Sequence, residues 1–244
     1  MTLPPPPKPF KIVFPEGFTR RDMAMRITAV DEIALRKRGV QPRLRARAYL
    51  RLTEGRLRMT GFGRKRYPYE GFLFPATYDF LAATTTRQLV HAQLSAFERS
   101  WAHVDLRYAR SKNLTPYDVL KIASMVEKET LAPDERRLVA AVIYNRLHAN
   151  MPLGIDATIR YALDVPGTQS LRQSQLSNPT PYNTRLHAGL PPTPIANPGL
   201  ASIQAAAHPA HVNYLYFVRK PDKIHHFFTA SFEEFQNYAN AHGY

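Results

Sequence analysis

Between Ser177 and Gly199 the chain reads SNPTPYNTRLHAGLPPTPIANPG, with breakers at Pro179, Pro181, Pro191, Pro192, Pro194 and Pro198. Proline lacks a backbone donor and clashes with a preceding helical turn, so neither a helix nor a central strand can run through this segment. The fold must therefore carry a long ordered loop between two structured parts, and such loops in compact domains tend to be functional. The flanks have the opposite texture. TTTRQLVHAQLSAFERSWAHV has the apolar spacing of a long amphipathic helix capped near Thr84 to Thr86. TPYDVLKIASMVEKET predicts another, with Thr115 as cap, Pro116 in its first turn and Asp118 at the positive end of the dipole. PDERRLVAAVIYNRLHAN predicts a third, starting at Pro133 and apolar enough at its centre to be buried. After the loop, GLASIQAAAH predicts a short helix. YLYFV and HHFFTA predict strands around the turn RKPDK, and SFEEFQNYANAH a last helix capped by Ser231.

Upstream, FKIVFPEG predicts a short strand. TRRDMAMRITAV and DEIALRKRG predict two successive helices, the first capped by a threonine and the second ended by Gly39. RARAYLRL, GRLRMTGFG and EGFLFPATYDF have shorter apolar spacing and frequent glycine, which predicts short strands. The fold class is α+β, a small module joined to a larger domain, and 244 residues suffice for both. MTLPPPPKPF lacks the apolar core of a signal peptide and reads as an extended spacer, the trimmed end of a tether. The longest strongly apolar run, LVAAVIY at Leu138 to Tyr144, is too short to span a bilayer.

Lys and Arg number 33 against 19 Asp and Glu, a formal charge of +14. That charge attracts polyanions of any kind: nucleic acid, anionic lipid or an acidic cell-wall polymer. Much of it sits in TRRDMAMR, RKRGVQPRLRARAYLR and GRKR, all within the first 66 residues. The chain has no cysteine, hence no disulfide, no Cys-ligated zinc and no thiol nucleophile. There is no H-E-x-x-H, no carboxylate cluster at metal spacing and no glycine-rich phosphate loop, so neither a metal nor a cofactor is expected.

On a helix wheel Val119, Ile122, Ala123, Met125 and Val126 form one stripe, with Lys121, Ser124 and Lys128 opposite and Glu127 and Glu129 on the two shoulders. Either glutamate can be pressed against apolar neighbours, which raises a carboxyl pKa and keeps a proton available for a leaving group. Periodicity does not choose between them, and both can equally bracket a core face with Lys128 between. Ser124 on the polar side lacks a G-x-S-x-G elbow or a histidine placed to activate it. In PTPYNT, Tyr182 can stack on a sugar or base and Asn183 can bond hydroxyls or amides, or the segment is a stiff turn in which Asn183 binds its own backbone.

ASMVEKET, DERRLVAAVIYNRL, MPLGIDATIRYAL, TPYNT, GLPPTPIANPGLASIQAAAHPA and YLYFV, in this order, closely resemble the catalytic domain of the endolytic murein transglycosylases, the YceG-like family. The resemblance extends back through EGFLFPATYDF to FPEGFTRRDMAMRI, which is similar to a LysM-like module, and covers residues 10 to 244. It implies a proline-rich tail over 1–9, a LysM-like module over 10–67 and a mixed α+β catalytic domain over 68–244. The implied activity is cleavage of peptidoglycan between N-acetylmuramic acid and N-acetylglucosamine, without water, leaving a 1,6-anhydro end. The resemblance puts the catalytic acid/base at Glu127, the first acid of VEKET. Tyr182 and Asn183 are then expected to line the glycan groove beside it, with Asp156, Glu129 and Asn145 as further substrate contacts. Because the substrate's own C6 hydroxyl attacks, one carboxylate can serve both steps, unlike the pair an ordinary glycosidase needs.

The family's LQSDPTVxYAL appears here as Leu153-Gly154-Ile155-Asp156-Ala157-Thr158, without its glutamine and proline. Its late G-H-x-F survives as His226 and Phe228, while a histidine usual further on is Phe235. The implied partners are glycan strands and cell-wall synthases, not nucleic acid. The implied place is the extracytoplasmic face of the cell membrane, reached through an anchor that the chain does not show. A catalytically silent glycan-binding module and a basic nucleic-acid binder are the alternatives. The first is marked by binding without anhydro products and the second by steeply salt-dependent DNA affinity.

Overall fold

The computed structural model describes residues 8–243; residues 1–7, most of the expected proline-rich tail, and residue 244 lie outside the described residues. Helix α1 (Arg20–Arg38) starts at a reciprocal cap, in which Thr19 accepts the Asp22 N–H and the Asp22 side chain accepts the Thr19 N–H. It stops at Gly39, which is left-handed with φ 62°. Two helices are expected here and one is found. Neither glycine nor proline interrupts the run, and Asp31, the expected second start, instead turns its carboxylate to Gln41 and Arg45. The expected strand at RARAYLRL is also corrected: α2 (Ala46–Glu54) is helical, and burying Tyr49 on its inner face decides the matter.

Strand β1 (Phe10–Val13) opens the chain, and the short strands β2 (Arg56–Leu57) and β3 (Tyr67–Pro68) pair with each other after α2. Strand β4 (Thr77–Phe80) returns antiparallel to β1, with Phe10 opposite Phe80 and Val13 opposite Thr77. Ile12, Phe14, Met23, Ile27, Tyr49, Leu73, Phe80 and Leu89 form a first core beneath this pair.

The larger core is helical. Helix α3 (Thr86–Trp101), capped by Thr85, delivers Phe97 and Trp101 to an aromatic cluster with Phe62 and Phe72. After the single-turn α4 (Arg107–Ser111) comes α5 (Pro116–Glu129), with the predicted Thr115 cap, Pro116 at its start and Asp118 completing the capping box. A 3-10 turn (Pro133–Glu135) leads into α6 (Arg136–His148). Beyond it lie α7 (Asp156–Leu163), α8 (Gln173–Leu176) and α9 (Leu200–Ala207). The small residues Ala205, Ala206 and Ala207 of α9 let it lie close against α5, whose Val119, Leu120, Ile122, Ala123, Met125 and Val126 are completely buried. Each larger aliphatic among them contributes about 1.5–3 kcal/mol. The chain ends as expected with β5 (Tyr216–Arg219), β6 (His226–Thr229) and α10 (Phe232–His242) capped by Ser231. His226 anchors this hairpin: its ring and N–H both bond Glu135, at 2.7 and 2.9 Å.

Residues 177–199 cross α5 as an irregular strap, and that corrects the expectation for Ser124. Its side chain is 0% exposed. The hydroxyl donates to Lys121 O at 2.7 Å and accepts the Ile195 N–H at 3.0 Å. Asn197 fixes the strap further along, with all four of its amide valences satisfied. It donates to Phe18 O and Glu70 and accepts from Gly71 N and Leu73 N, at 2.7–3.0 Å. The class is α+β, as the sequence implies. Among the described residues no helix is long and apolar enough to cross a membrane.

Candidate active site

Two residues apart on one helix, Glu127 and Glu129 are turned about 200° from each other. The strap and α9 lie on the Glu127 side. There its carboxylate accepts the N–H of Gly199, the residue that caps α9, at 2.9 Å. The Glu16 carboxyl fills the space where a side chain on Gly199 would stand, since a Cβ there would lie 1.8 Å from Glu16 Oε1. Burial, and after it the charge of Glu127, pushes the Glu16 carboxyl above its ordinary pKa, while Arg136 pulls it back. Lys128 closes the same corner by donating to Gly17 O at 3.4 Å. Glu127 thus holds the start of α9, while its neighbour Lys128 holds residue 17.

Glu129 faces the start of α7 instead, half-buried and held in a different electrostatic setting. Burial pushes its carboxyl up to about 7. The nearby Asp156 adds to the rise, while Arg219, the Ala157 N–H and Arg160 pull against it. Such a carboxyl holds a proton at neutral pH and can deliver it, and once ionised it can take one back. Asp156 is itself held by Arg185, Nε to Oδ1 at 2.7 Å. Thr184 accepts the Ile155 N–H at 3.0 Å, and Gly154 N bonds Thr184 O at 2.9 Å. TPYNT is thereby stitched to the start of α7, on the Glu129 side of α5.

The other expected site residues take distinct places. Asn183 is 0% exposed; it donates to Leu176 O and Asn178 O, both at 2.8 Å, and accepts the Arg185 N–H. It shapes the loop and has no surface for a ligand. Tyr182 is half-buried, its ring 5.3 Å from Tyr161 and its hydroxyl 2.8 Å from Thr193. Asn145 donates to Val212 O and Tyr214 O at 2.9 and 2.8 Å, which holds the approach to β5. Two surface cavities lie elsewhere, one of about 610 Å³ walled by Tyr108, Asn145, His211 and Tyr214, another of about 570 Å³ walled by His103, Arg136 and His208. Neither is lined by Glu127 or Glu129.

A sequence model of the YceG-like family matches residues 2–241. The chain belongs to the YceG-like family. Relatives include the endolytic murein transglycosylase of Streptococcus pneumoniae (strain ATCC BAA-255 / R6), 38% identical over 159 residues, or 63% of this chain and 28% of that protein. That of Bacillus subtilis (strain 168) is 36% identical over 155 residues, 64% of this chain and 43% of that protein. The chain therefore matches less than half the length of these curated relatives. The crystal structure of a YceG-like protein from Listeria monocytogenes superposes with a TM-score of 0.72 at 27% identity, covering 93% of this chain and 75% of that one.

Sequence reasoning passes over Glu16, Glu70, Asn197 and Arg219 in this YceG-like chain. Glu70 and Asn197 do lie inside the quoted segments EGFLFPATYDF and PIANPG. A polar residue set between apolar ones there was the available signal.

Proposed function

We propose that this YceG-like chain is a peptidoglycan lytic transglycosylase in which Glu129, rather than the expected Glu127, is the acid/base. One observation carries this choice: Glu129 lies beside Asp156 on the side of α5 where Thr184 stitches TPYNT to α7, and burial there raises its carboxyl, whereas one oxygen of Glu127 accepts the Gly199 N–H on the opposite side. The names of the relatives supply the substrate class.

Protonated Glu129 donates to the oxygen linking N-acetylmuramic acid to N-acetylglucosamine. As that bond breaks, positive charge develops at the muramyl C1, and ionised Asp156 opposes it. The Glu129 carboxylate then takes the proton of the muramyl C6 hydroxyl, whose oxygen closes on C1 to give the 1,6-anhydro ring. No water is consumed, no second nucleophilic carboxylate is needed and Glu129 ends protonated. The chemistry calls for neither metal nor cofactor. Tyr182 and Asp156 face the strand, while Asn183 and Asn145 shape the walls from behind.

The strand β1, helices α1 and α2 and strand β4, with the small β2–β3 pair set between α2 and β4 and with β1 paired antiparallel to β4, support a LysM-like module. On that reading β4 is its closing strand, which carries it past residue 67 to Phe80. Such a chain works on the extracytoplasmic face of the membrane, beside the cell-wall synthases.

Digestion of purified sacculi followed by mass spectrometry tests the assignment. Glu129→Gln is expected to cut release of anhydro-muropeptides by about 10²–10⁴-fold. Glu127→Gln keeps an oxygen to accept the Gly199 N–H, and is expected to stay within about tenfold of wild type, about 1.4 kcal/mol. A folded Glu127→Gln that is inactive beside an active Glu129→Gln would return the role to Glu127. Binding of sacculi by the wild type without any anhydro product would leave only a glycan-binding module.

A further inference from the structure

Arg160 and Arg219 act on Glu129, Arg185 bonds Asp156 and Arg146 lies near Arg185, and these four arginines divide into two kinds. Arg146 is held by backbone, donating to Leu215 O at 2.6 Å, Leu153 O at 2.7 Å and Pro152 O at 3.3 Å while lying 5.3 Å from the Tyr216 ring. Arg160 likewise donates to Pro166 O and Gln169 O, at 2.9 and 2.6 Å. These two are built into the walls. Arg185 is half-exposed and bonds Asp156 through Nε alone. The Arg219 side chain, at the exposed end of β5, makes no hydrogen bond or ion pair among the described residues, yet lies close enough to Glu129 to act on its carboxyl. Even with both Glu129 and Asp156 ionised, the four arginines leave a cationic excess around them.

Such an excess is out of place for a neutral ligand, and the sugar backbone of peptidoglycan is neutral. Its charge sits on the stem peptides, which end in and branch at carboxylates. A guanidinium offers parallel N–H donors that match a carboxylate in both spacing and charge. We propose that Arg219 and Arg185 form a carboxylate-recognition site for stem peptides at the edge of the Glu129 site. This chain then selects peptide-bearing strands whose carboxylates are free over denuded or amidated ones. The inference rests on the transglycosylase reading for its choice of ligand, but its test is one of binding.

The probes are a soluble peptide-bearing muropeptide, the same compound with its peptide carboxylates amidated, and the peptide-free glycan. The wild type is expected to bind the free-carboxylate form about tenfold or more tightly than the amidated one, the worth of one charge-assisted contact. That preference should weaken as salt rises. Arg219→Ala removes most of the preference and leaves affinity for the amidated form unchanged, Arg219→Lys restores part of it, and adding Arg185→Ala removes what remains. Arg219 is exposed on a strand end, so its single variant folds even where loss of the Arg185 pair disturbs α7. Equal wild-type affinity for free and amidated ligands, or an undiminished preference in folded Arg219→Ala, overturns the proposal. Preserved preference in a protein that makes no anhydro product would defeat the proposed reaction and leave this recognition site standing.

Discussion

At the scale of single residues, what distinguishes Glu127 from Glu129 is the setting around a backbone donor that each one has. Glu127 accepts the Gly199 N–H, while Glu129 has the Ala157 N–H but also burial and a neighbouring acid that outweigh it. The wheel makes the two equivalent because a wheel contains only α5. Their difference comes from a strap whose course runs through six prolines that no periodicity describes. A pH–rate profile reads this difference directly. A general acid raised to about 7 is protonated below that pH, so kcat/KM is expected to hold below about 7 and to fall as pH rises through it. Asp156 contributes to the rise, so Asp156→Asn should move that fall to lower pH as well as slow the reaction. The profile is measured on solubilised strands at constant ionic strength. An alkaline limb that stays in place in Asp156→Asn would detach Glu129 from the acid role.

Elements were legible where a cap and a period agree, and illegible where a distant segment decides. Thr85, Thr115 and Ser231 cap α3, α5 and α10 as the residue types predict. By contrast α2 was hidden because its arginines interrupt the apolar spacing, and it is the fit of Tyr49 between Met23 and Gln93 that makes it helical. The strap was legible only as the absence of regular structure; its path depends on where a backbone can pass closely. Gly71 is such a place. It sits at φ +92°, and a Cβ on it would lie 2.7 Å from Pro194 Cγ. Gly71→Ala therefore combines left-handed backbone strain with a clash against a rigid ring, and is expected to cost about 3 kcal/mol or more. Denaturant midpoints at fixed pH measure it. A loss under about 1 kcal/mol, the backbone strain alone, would mean that the strap yields at Pro194.

Across the whole molecule the two cores meet at one buried polar junction, and the stability of the chain should carry its titration. Glu70 is 3% exposed. Its carboxyl accepts from Arg20 N at 3.0 Å, Asn197 Nδ2 at 2.7 Å and Tyr161 Oη at 3.2 Å, so β1–α1, the strap and α7 converge on it. Burial nonetheless outweighs these donors and pushes its pKa from 4.5 up to about 7. In the unfolded chain the group ionises near 4.5; in the folded chain it keeps its proton until about 7. The folded state binds more protons between those values, so its contribution is fully present below 4.5 and is lost as pH rises to about 7. The loss is on the order of 3 kcal/mol, and Glu129, with its own carboxyl at about 7, adds in the same direction. Glu70→Gln keeps an acceptor but cannot ionise. Its urea-unfolding free energy should therefore fall between pH 5 and pH 8 by roughly half the wild-type amount, with Glu129 supplying the remainder. If Glu70→Gln loses stability over that range as steeply as the wild type, the proton is held somewhere other than this junction. If the variant is pH-independent altogether, Glu129 titrates alike in the folded and unfolded chain, and the acid role proposed for it loses its electrostatic ground.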